Sequence, residues 1–421
     1  EMDFMVVLDA DSVMTGPTLV ELVRTLEANP GAALLQTVPV PVGQRTPFAR
    51  LLGFAARLHS PMLAAGQAFW QGDAANYWGH NAIVRVDAFI EEARLPVLPG
   101  GPPLGGEILS HDFVEAALLR RAGWGVWLLP GLGGSHEDVP GNVLDYAARD
   151  RRWCQGSLQH LRLLPERGLH PLSRLHFLLG AMGYVSSPLW MLMLLASTAY
   201  VALEVADVDL LLNRPASVAA GWPLPGLPAA VSLLAVTAAV LFLPKALGTA
   251  LAALRRRGDF GGGLRLLAGS LAEGAFAVVI APVMMMFHTR FVVSVLAGRT
   301  VSWIPQSRGR DEVSWGTALR GTAWITAAGS VWSGLTLAAS PVFFLWLSPI
   351  FLGLWTAAPL VRWTGAQGTV TDRARIRGLG RSSAIGAGTG SPPERPSRPW
   401  SGGLSGMTPG YDVLEDRREG G

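Results

Sequence analysis

Residues 6–12 read Val-Val-Leu-Asp-Ala-Asp-Ser, and both the fold and the chemistry of the chain depend on this stretch. The apolar residues are typical of the end of a buried strand, and the carboxylates of Asp9 and Asp11 follow two positions apart. On a strand they would share a face, and on a turn both could still reach one ion. Carboxylates beside a substrate phosphate suit Mg²⁺ or Mn²⁺. The stretch alone also fits a polar turn in which Asp11 or Ser12 caps the next helix.

The composition indicates a membrane protein with a soluble part. Half of the 421 residues are apolar and 15% are charged, below the roughly 25% of ordinary soluble domains. The mean hydropathy is +0.33. Residues 1–170 have the mixed pattern of a soluble α/β domain, whereas residues 175–361 carry long apolar runs with few charges. We therefore expect a soluble catalytic part followed by membrane helices.

Several function classes are not favoured. The net charge is +3 and the basic residues are scattered at segment ends, so no basic face for nucleic acid is expected. The single cysteine, Cys154, excludes an intramolecular disulfide and fits a reducing compartment. The eight histidines are not paired at the spacing of zinc ligands. No serine-hydrolase elbow and no phosphate-binding P-loop is present.

The hydrophobic pattern of the first part predicts a βαβ unit. Residues 18–26 have helical spacing after Pro17, and residues 32–38 read as a short buried strand. Strand, helix and strand in this order predict a parallel sheet, with ligands at the carboxyl ends of its strands. A second amphipathic helix is expected over 47–69 and another strand over 124–129.

Three polar segments follow. In residues 77–85, Tyr-Trp-Gly-His-Asn-Ala-Ile-Val-Arg, the triplet 79–81 interrupts a pair of apolar segments. It is interpreted either as a hairpin turn in which Gly79 takes an unusual φ, or as a loop that offers hydrogen bonds to a sugar. Asp112 opens a helix over 113–121, either as a cap together with Ser110 and Glu115, or as a catalytic carboxylate. Residues 134–140 read as a polar loop.

The helix expected over 146–163 carries three arginines followed by Trp153. Such a run usually forms a solvated face, but here a membrane segment follows. Spans are predicted over 177–204, 229–254, 322–339 and 341–360. Arginines 255–257 and the acidic loop at the other end place the soluble part in the cytosol. Within the second span, Lys245 is expected to snorkel.

The remaining regions of residues 171–421 are not predicted to be membrane spans. The apolar run 271–297 is predicted to be interfacial or re-entrant, because a span there would place the following arginines outside. Residues 298–320 are expected to form an interfacial, gating segment. The tail 364–421, rich in Gly, Ser, Pro and Arg, is predicted to be disordered.

Four motifs in order resemble those of family 2 glycosyltransferases. They are Asp9-Ala10-Asp11, then the segment 79–85, then His111-Asp112 with Gly123-Trp124 at the end of its helix, then Arg152-Trp153. The resemblance implies an α/β nucleotide-diphospho-sugar transferase (GT-A-like) domain over 1–170, followed by an all-α transmembrane domain over 171–363. It also implies that the α/β domain is incomplete at its N-terminus, with the uridine-contacting aspartate upstream.

The resemblance also implies roles for individual residues. Asp9 and Asp11 would hold Mg²⁺ or Mn²⁺ with the diphosphate of the donor, and Asp112 would be the catalytic base. The residues expected to bind substrate or acceptor are Gly79, His80, Asn81, Glu137, Arg149, Arg152 and Trp153. Two positions depart from the family pattern: Arg149 stands where the family has Gln, and Ser110-His111 where it has Thr-Glu.

Within the family, these segments are most similar to the branch that makes osmoregulated periplasmic glucans. This implies a UDP-glucose donor, a growing linear β-1,2-glucan as acceptor and coupled export. It also implies a bacterial inner membrane, multi-pass, with a cytosolic catalytic domain, and a possible periplasmic glucan-processing partner. The alternatives left open are a cellulose-like synthase of another polysaccharide, and a membrane transporter with a regulatory soluble domain.

Overall fold

The structure is a computed structural model that describes residues 2–43, 45–205, 227–301 and 312–366. An α/β part comes first and a helical part follows. The strands are β1 Phe4–Val7, β2 Val13–Met14, β3 Ala32–Thr37, β4 Val40–Val42, β5 Ala82–Arg85, β6 Gly125–Leu129 and β7 Ser135–Asp138. The helices of the α/β part are α1 Gly16–Ala28, α2 Pro47–Gln71, α3 Val86–Glu92, α4 Asp112–Arg121 and α5 Val143–His160.

The main sheet is mixed, with the strand order β1-β5-β3-β6. β1 and β3 run in the same direction, as the βαβ prediction requires, but they are not neighbours. β5 lies between them, antiparallel to both, so that Ile83 faces Val6 on one side and Leu35 on the other. Among the described strands of this sheet, β3 and β6 form the one parallel pair. The prediction of a parallel sheet was therefore wrong in its pairing, although Asp9 and Asp11 do follow the carboxyl end of β1.

Burial on both faces explains why the first four residues of β3 are apolar. All six of its residues are buried. On one face, Leu35 packs with Leu22 and Leu26 of α1, and on the other, Leu34 packs in a cluster that contains Leu119 of α4. The core of the α/β part therefore lies on both sides of the sheet.

A second, small sheet has the order β2-β7-β4. β7 covers residues that were predicted to be a polar loop, and it pairs with β2 through His136 and Val13 and with β4 through Glu137 and Pro41. Backbone pairing with two neighbours makes a strand from a sequence with no apolar alternation. The sheet fixes Glu137 next to the segment that follows β1.

The helical part contains α6 Pro171–Val205, α7 Leu227–Arg255, α8 Gly263–Leu296, α9 Trp315–Ala339, α10 Pro341–Trp355 and α11 Ala357–Thr364. Among the described residues, three stretches are long and apolar enough to cross a membrane, namely Pro171–Leu203, Val231–Arg255 and Gly263–Leu296. Large apolar side chains on α6 and α7 are exposed to the surroundings, for example Leu192 and Val240. A membrane protein is therefore indicated.

Three predictions for this part need correction. The run 271–297 belongs to one continuous helix, α8, which passes through Pro282, so a re-entrant loop is wrong. The position of this helix at the membrane interface stays a prediction. The helix α8 packs both on α2 and α5 of the α/β part and on α6 and α10 of the helical part. The expected span 322–339 forms as α9 but is not apolar enough to count with the other three. The expected span 341–360 is not one straight helix but a pair, α10 and α11, bent by 50°, which together are long and apolar enough to cross a membrane as a broken span or to form a re-entrant loop.

Lys245, which was predicted to snorkel, forms an ion pair in the structure. Its ammonium group contacts Glu273 of α8, and His59 of α2 lies 3.7 Å from the other oxygen of the same carboxylate. A charge that has a partner on the neighbouring helix need not reach water. Outside the described residues lie the acidic loop with Asp207 and Asp209, residues 302–311 of the gating segment, and the tail from 367 onward.

Candidate active site

A cavity of about 670 Å³ lies where the α/β part meets α6 and α8. Its size falls within the range of roughly 300–1,000 Å³ that is usual for ligand sites. The side chains on its wall that can bind or react are Trp78, His80, Ser110, Asp112, Glu137, Tyr146, Arg149, Asp150, Trp153, Tyr184 and His288. The cavity therefore brings together four of the polar segments that the sequence singled out, whereas Asp9 and Asp11 do not line it.

Asp112 is the first residue of α4, but it does not cap the helix. The N-cap position is taken by His111, without a capping bond from its side chain, so the prediction of a Ser110 or Asp112 cap was wrong. The carboxyl group of Asp112 lies against the backbone of Gly79, where an added Cβ would be only 2.7 Å from Asp112 Cγ. The carboxylate is thus left available to the cavity.

The electrostatic environment of Asp112 suits a general base. Burial raises the pKa of Asp112 above its usual value, and the charge of His111 offsets part of that rise. His111 Nδ1 lies 3.2 Å from Asp112 Oδ1 and 2.9 Å from Glu115 Oε1. The hydrogen bond to Glu115 raises the pKa of His111, which favours a positive charge beside Asp112. A raised carboxyl pKa brings the base closer to neutral operating pH.

The loop 79–81 has an unusual backbone, as the sequence indicated. Gly79 has φ +87° and Asn81 has φ +54°, but no strand precedes the loop, so the hairpin interpretation was wrong. Asn81 is completely buried, and its amide donates to Ser135 Oγ while its Oδ1 accepts from Ser12. Asn81 therefore holds the loop to β7 and to the segment after β1. Because the side chain of Asn81 has no exposed surface in this conformation, it is not available for the predicted contact with a sugar.

Four carboxylates lie near one another at this edge of the sheet. Burial raises the pKa of Glu137, and the charges of Asp11 and Asp9 add to the rise, while His80 and Arg149 oppose it. His80 Nε2 lies 3.5 Å from Glu137 Oε2. Asp9 also raises the pKa of Asp112. The side of the cavity next to β1 therefore carries a surplus of negative charge.

The donor set of Asp9 and Asp11 fits a divalent cation. Both carboxylates are exposed, neither caps α1, whose N-cap is Thr15, and in the described ranges neither forms an ion pair. Two hard oxygen ligands leave coordination positions for phosphate and water, as Mg²⁺ requires. A cation at this place would also compensate the charges of Glu137 and Asp112.

Arg149 and Trp153 lie on the face of α5 that lines the cavity. The guanidinium carbon of Arg149 lies 4.5 Å from the centre of the Trp153 ring and 5.2 Å from that of Tyr146, and stacking of this kind fixes the orientation of the planar group. The Nε of Arg149 is buried and has no hydrogen-bond partner among the described residues, while the Arg149 side chain as a whole lines the cavity. Arg152 is half-buried on the same helix and does not line the cavity.

Three cavity residues were missed from the sequence: Asp150, Tyr184 and His288. Asp150 was hidden in a run of arginines, and the other two lie in apolar helices. The signal that could have found Asp150 is its helical spacing from Tyr146 and Trp153, four residues before and three residues after it. No pattern connected it to a histidine that lies 138 positions later.

Replacing Gly79 with alanine tests the contact with Asp112. We expect Gly79→Ala to lower kcat about 100-fold, since a displacement of the base by about 1 Å costs this much. The measurement is the steady-state release of nucleoside diphosphate. Gly72→Ala is the matched control, because Gly72 also has a positive φ of +54° but has open space around its Cβ position. Equal rates for the two variants would contradict the account.

Replacing His111 with glutamine tests the charge beside Asp112. A carboxylate that acts as general base must be deprotonated, so the prediction that Asp112 is the base implies that activity falls as the pH drops through its pKa. Loss of the His111 charge removes the interaction that lowers this pKa, and we expect the acidic limb of the kcat/KM profile to move to higher pH. His170→Gln, outside the cavity, is the control. A limb that stays in place or moves to lower pH would contradict the role of His111.

The chain belongs to a family of sugar-transferring enzymes. Residues 4–243 match the model of glycosyl transferase family group 2, which covers more than half of the chain. The matched region contains the main sheet, Asp112 and the cavity face of α5, together with α6. The chain is therefore a member of this family. In this chain the family's fold consists of a mixed sheet followed by apolar helices.

The chain is also similar to curated proteins named glucans biosynthesis glucosyltransferase H. The chain is 46% identical over 357 residues to that of Cupriavidus pinatubonensis, which is 85% of this chain and 41% of the relative. It is 46% identical over 373 residues to that of Bradyrhizobium diazoefficiens (87% and 49%), and 47% identical over 362 residues to that of Rhodopseudomonas palustris (85% and 50%). The chain spans half or less of the length of these relatives.

Proposed function

We propose that the cavity transfers glucosyl units with inversion from UDP-glucose to a growing glucan. The observation that carries the proposal is the Asp112 carboxylate, which does not cap α4, lies against Gly79 and lines the cavity. The carboxylates of Asp9 and Asp11 lie nearby and have no ion-pair partner among the described residues. The membership in a glycosyltransferase family and the similarity to enzymes named glucosyltransferase H supply the reaction class.

In this proposal Asp112 acts as the general base. A hydroxyl oxygen of the acceptor attacks the anomeric carbon of glucose, and its proton moves to Asp112 as the new C–O bond forms. The bond between the anomeric carbon and the phosphate oxygen breaks on the opposite face, and its electron pair leaves with UDP. One displacement inverts the anomeric centre. His111 would remain beside Asp112 to stabilise its charged form.

Asp9 and Asp11 would hold the divalent cation, Mg²⁺ or Mn²⁺. When bound, such an ion neutralises charge on a diphosphate leaving group. Arg149, fixed by its two aromatic neighbours, offers donors to the diphosphate or to acceptor hydroxyls. Trp153 offers a flat apolar face to a sugar ring, and the pair of His80 and Glu137 offers hydrogen bonds at the cavity wall. Arg152 would need a rearrangement of α5 or its neighbours to reach the same space.

The proposed product is the linear β-1,2-linked backbone of periplasmic glucans, exported as it grows. The apolar helices beside the cavity support a route into the bilayer. The arginines that follow the second span, with Arg362 near the end of α11, support a multi-pass protein of the bacterial inner membrane with a cytosolic active site. A periplasmic partner that processes the glucan would then receive the product.

The complete gene product in native membrane vesicles tests this function. The vesicles are supplied with labelled UDP-glucose and Mg²⁺, and the polymer is analysed for its glycosidic linkages. The proposal expects UDP release together with a 1,2-linked glucose polymer. A polymer with other linkages would assign the chain to another polysaccharide synthase of the family. Absence of any UDP-glucose turnover would overturn the proposal.

A further inference from the structure

The side of the cavity next to the membrane helices contains a polar group that the proposed reaction does not use. Asp150 on α5 is buried, and its Oδ2 lies 2.9 Å from Nε2 of His288 on α8. The other ring nitrogen of His288 lies 3.3 Å from Ser187 Oγ on α6. The edge of the Tyr184 ring meets the same imidazole at 5.2 Å between centroids. Three helices thus meet at one carboxylate that lines the cavity.

Burying a carboxylate costs free energy, and an ion-pair partner offsets that cost. A pair that served only the stability of the fold could lie in closed packing, with no cavity beside it. Here the Asp150–His288 pair borders open space rather than closed packing. On α6 this space is bordered by Gly180 and Gly183, and a Cβ added to Gly183 would meet nothing within 4 Å. The small residues therefore keep room free in front of the pair.

The composition of this wall matches the chemistry of a carbohydrate. The cavity residues of α5 run from Tyr146 to Ser157 on one helical face, a length of about 16 Å at 1.5 Å per residue. Aromatic rings offer apolar faces to sugar rings, and a carboxylate accepts hydrogen bonds from sugar hydroxyls that are stronger than bonds between neutral groups. His288, held by Asp150 and Ser187, presents a fixed polar edge.

We infer that Asp150, His288 and Tyr184 form a subsite for the acceptor glucan, next to the reaction centre on the side of the membrane helices. The inference rests on the proposed function and deepens it, because it assigns residues to the acceptor beyond those that react. The subsite binds a hydroxyl-rich, β-linked glucose unit that has already been added to the chain. Its contribution is to retain the product between successive transfers.

The test compares three variants of the complete gene product in membrane vesicles. Asp150→Asn keeps the size of the side chain and removes its charge, Gly183→Phe fills the open space, and Gly183→Ala is the matched control. Two quantities are measured with a short β-linked glucose oligomer as added acceptor: the KM for the oligomer with the length of the products, and kcat for UDP release.

We expect Asp150→Asn to raise the KM for the oligomer roughly tenfold or more, which is the loss of one hydrogen bond to a charged group. We expect Gly183→Phe to raise it at least as much, because the phenyl ring occupies the space of the sugar. Products should become shorter, while kcat for UDP release stays within about threefold. Gly183→Ala should match the unmodified protein. If Asp150→Asn does not fold, Gly183→Phe alone decides.

Two failures can be told apart. Unchanged KM and product length in Gly183→Phe, with normal UDP release, would overturn the subsite and leave the proposed function intact. A loss of UDP release equal to the loss of polymer would also overturn it, because such residues would then act in the transfer itself. If the unmodified protein does not turn over UDP-glucose, the proposed function fails first.

Discussion

Asp112→Asn is expected to lower kcat for UDP-glucose turnover by about 10³-fold, within the range that general bases contribute. Asparagine has nearly the shape of aspartate, so the contact with Gly79 and the start of α4 remain. It cannot accept the proton of the acceptor hydroxyl. The remaining rate would come from the positioning of the donor and acceptor, and the KM for UDP-glucose should change little.

The measurement is UDP release by equal amounts of membrane-inserted protein. Asp87→Asn is the matched control, since Asp87 is an exposed carboxylate in the first turn of α3 and does not line the cavity. Its activity should equal that of the unmodified protein. A rate for Asp112→Asn within about tenfold of that control would remove Asp112 from the role of base.

The double substitution Asp9→Asn with Asp11→Asn is expected to have the second largest effect, a loss of about 10²–10³-fold in kcat at ordinary Mg²⁺ concentration. Both carboxylates are exposed and unpaired in ion bridges among the described residues, so their removal should leave the fold unchanged. The double substitution would reduce the negative charge near Glu137 and Asp112. It would also remove the ligands of the cation that is proposed to neutralise the charge of the diphosphate.

A titration of activity with Mg²⁺ and Mn²⁺ separates the loss of the cation site from the change in the charge of the cavity. The double variant should require a higher concentration of either ion for half-maximal activity, whereas Asp3→Asn, an exposed carboxylate just before β1, should keep the original requirement. The same dependence on Mg²⁺ in the double variant and in the control would show that Asp9 and Asp11 do not hold the ion.

The fold could be predicted from the sequence where local pattern decides the structure. The apolar run of β3 and the helical spacing of α1, α2 and α5 correctly placed those elements. The pairing of β1 with β5 could not be predicted, because it depends on a contact between residues that are about 80 positions apart. β7 was missed because its polar residues are held in a strand by two neighbours and not by their own propensity.

In the candidate site, too, local motifs could be predicted from the sequence, whereas burial and contacts between distant residues could not. Asp9, Asp11 and Asp112 lie in short motifs whose order in the chain is visible, and the structure brings them to one edge of the sheet. Asn81 was assigned to a ligand because a sequence shows its polar group but not its burial. Asp150 and His288 form a pair across 138 positions, and only the packing of α5 against α8 makes them neighbours.

The anomeric configuration of the first bond made from UDP-α-glucose tests the central claim most directly. The complete gene product is given the donor and a short glucose oligomer, and the new linkage is read by proton NMR before any further reaction. A single displacement assisted by Asp112 predicts a β-linkage from the α-linked donor. An α-linkage would require two successive displacements or attack from the face of the leaving group, and it would contradict the account.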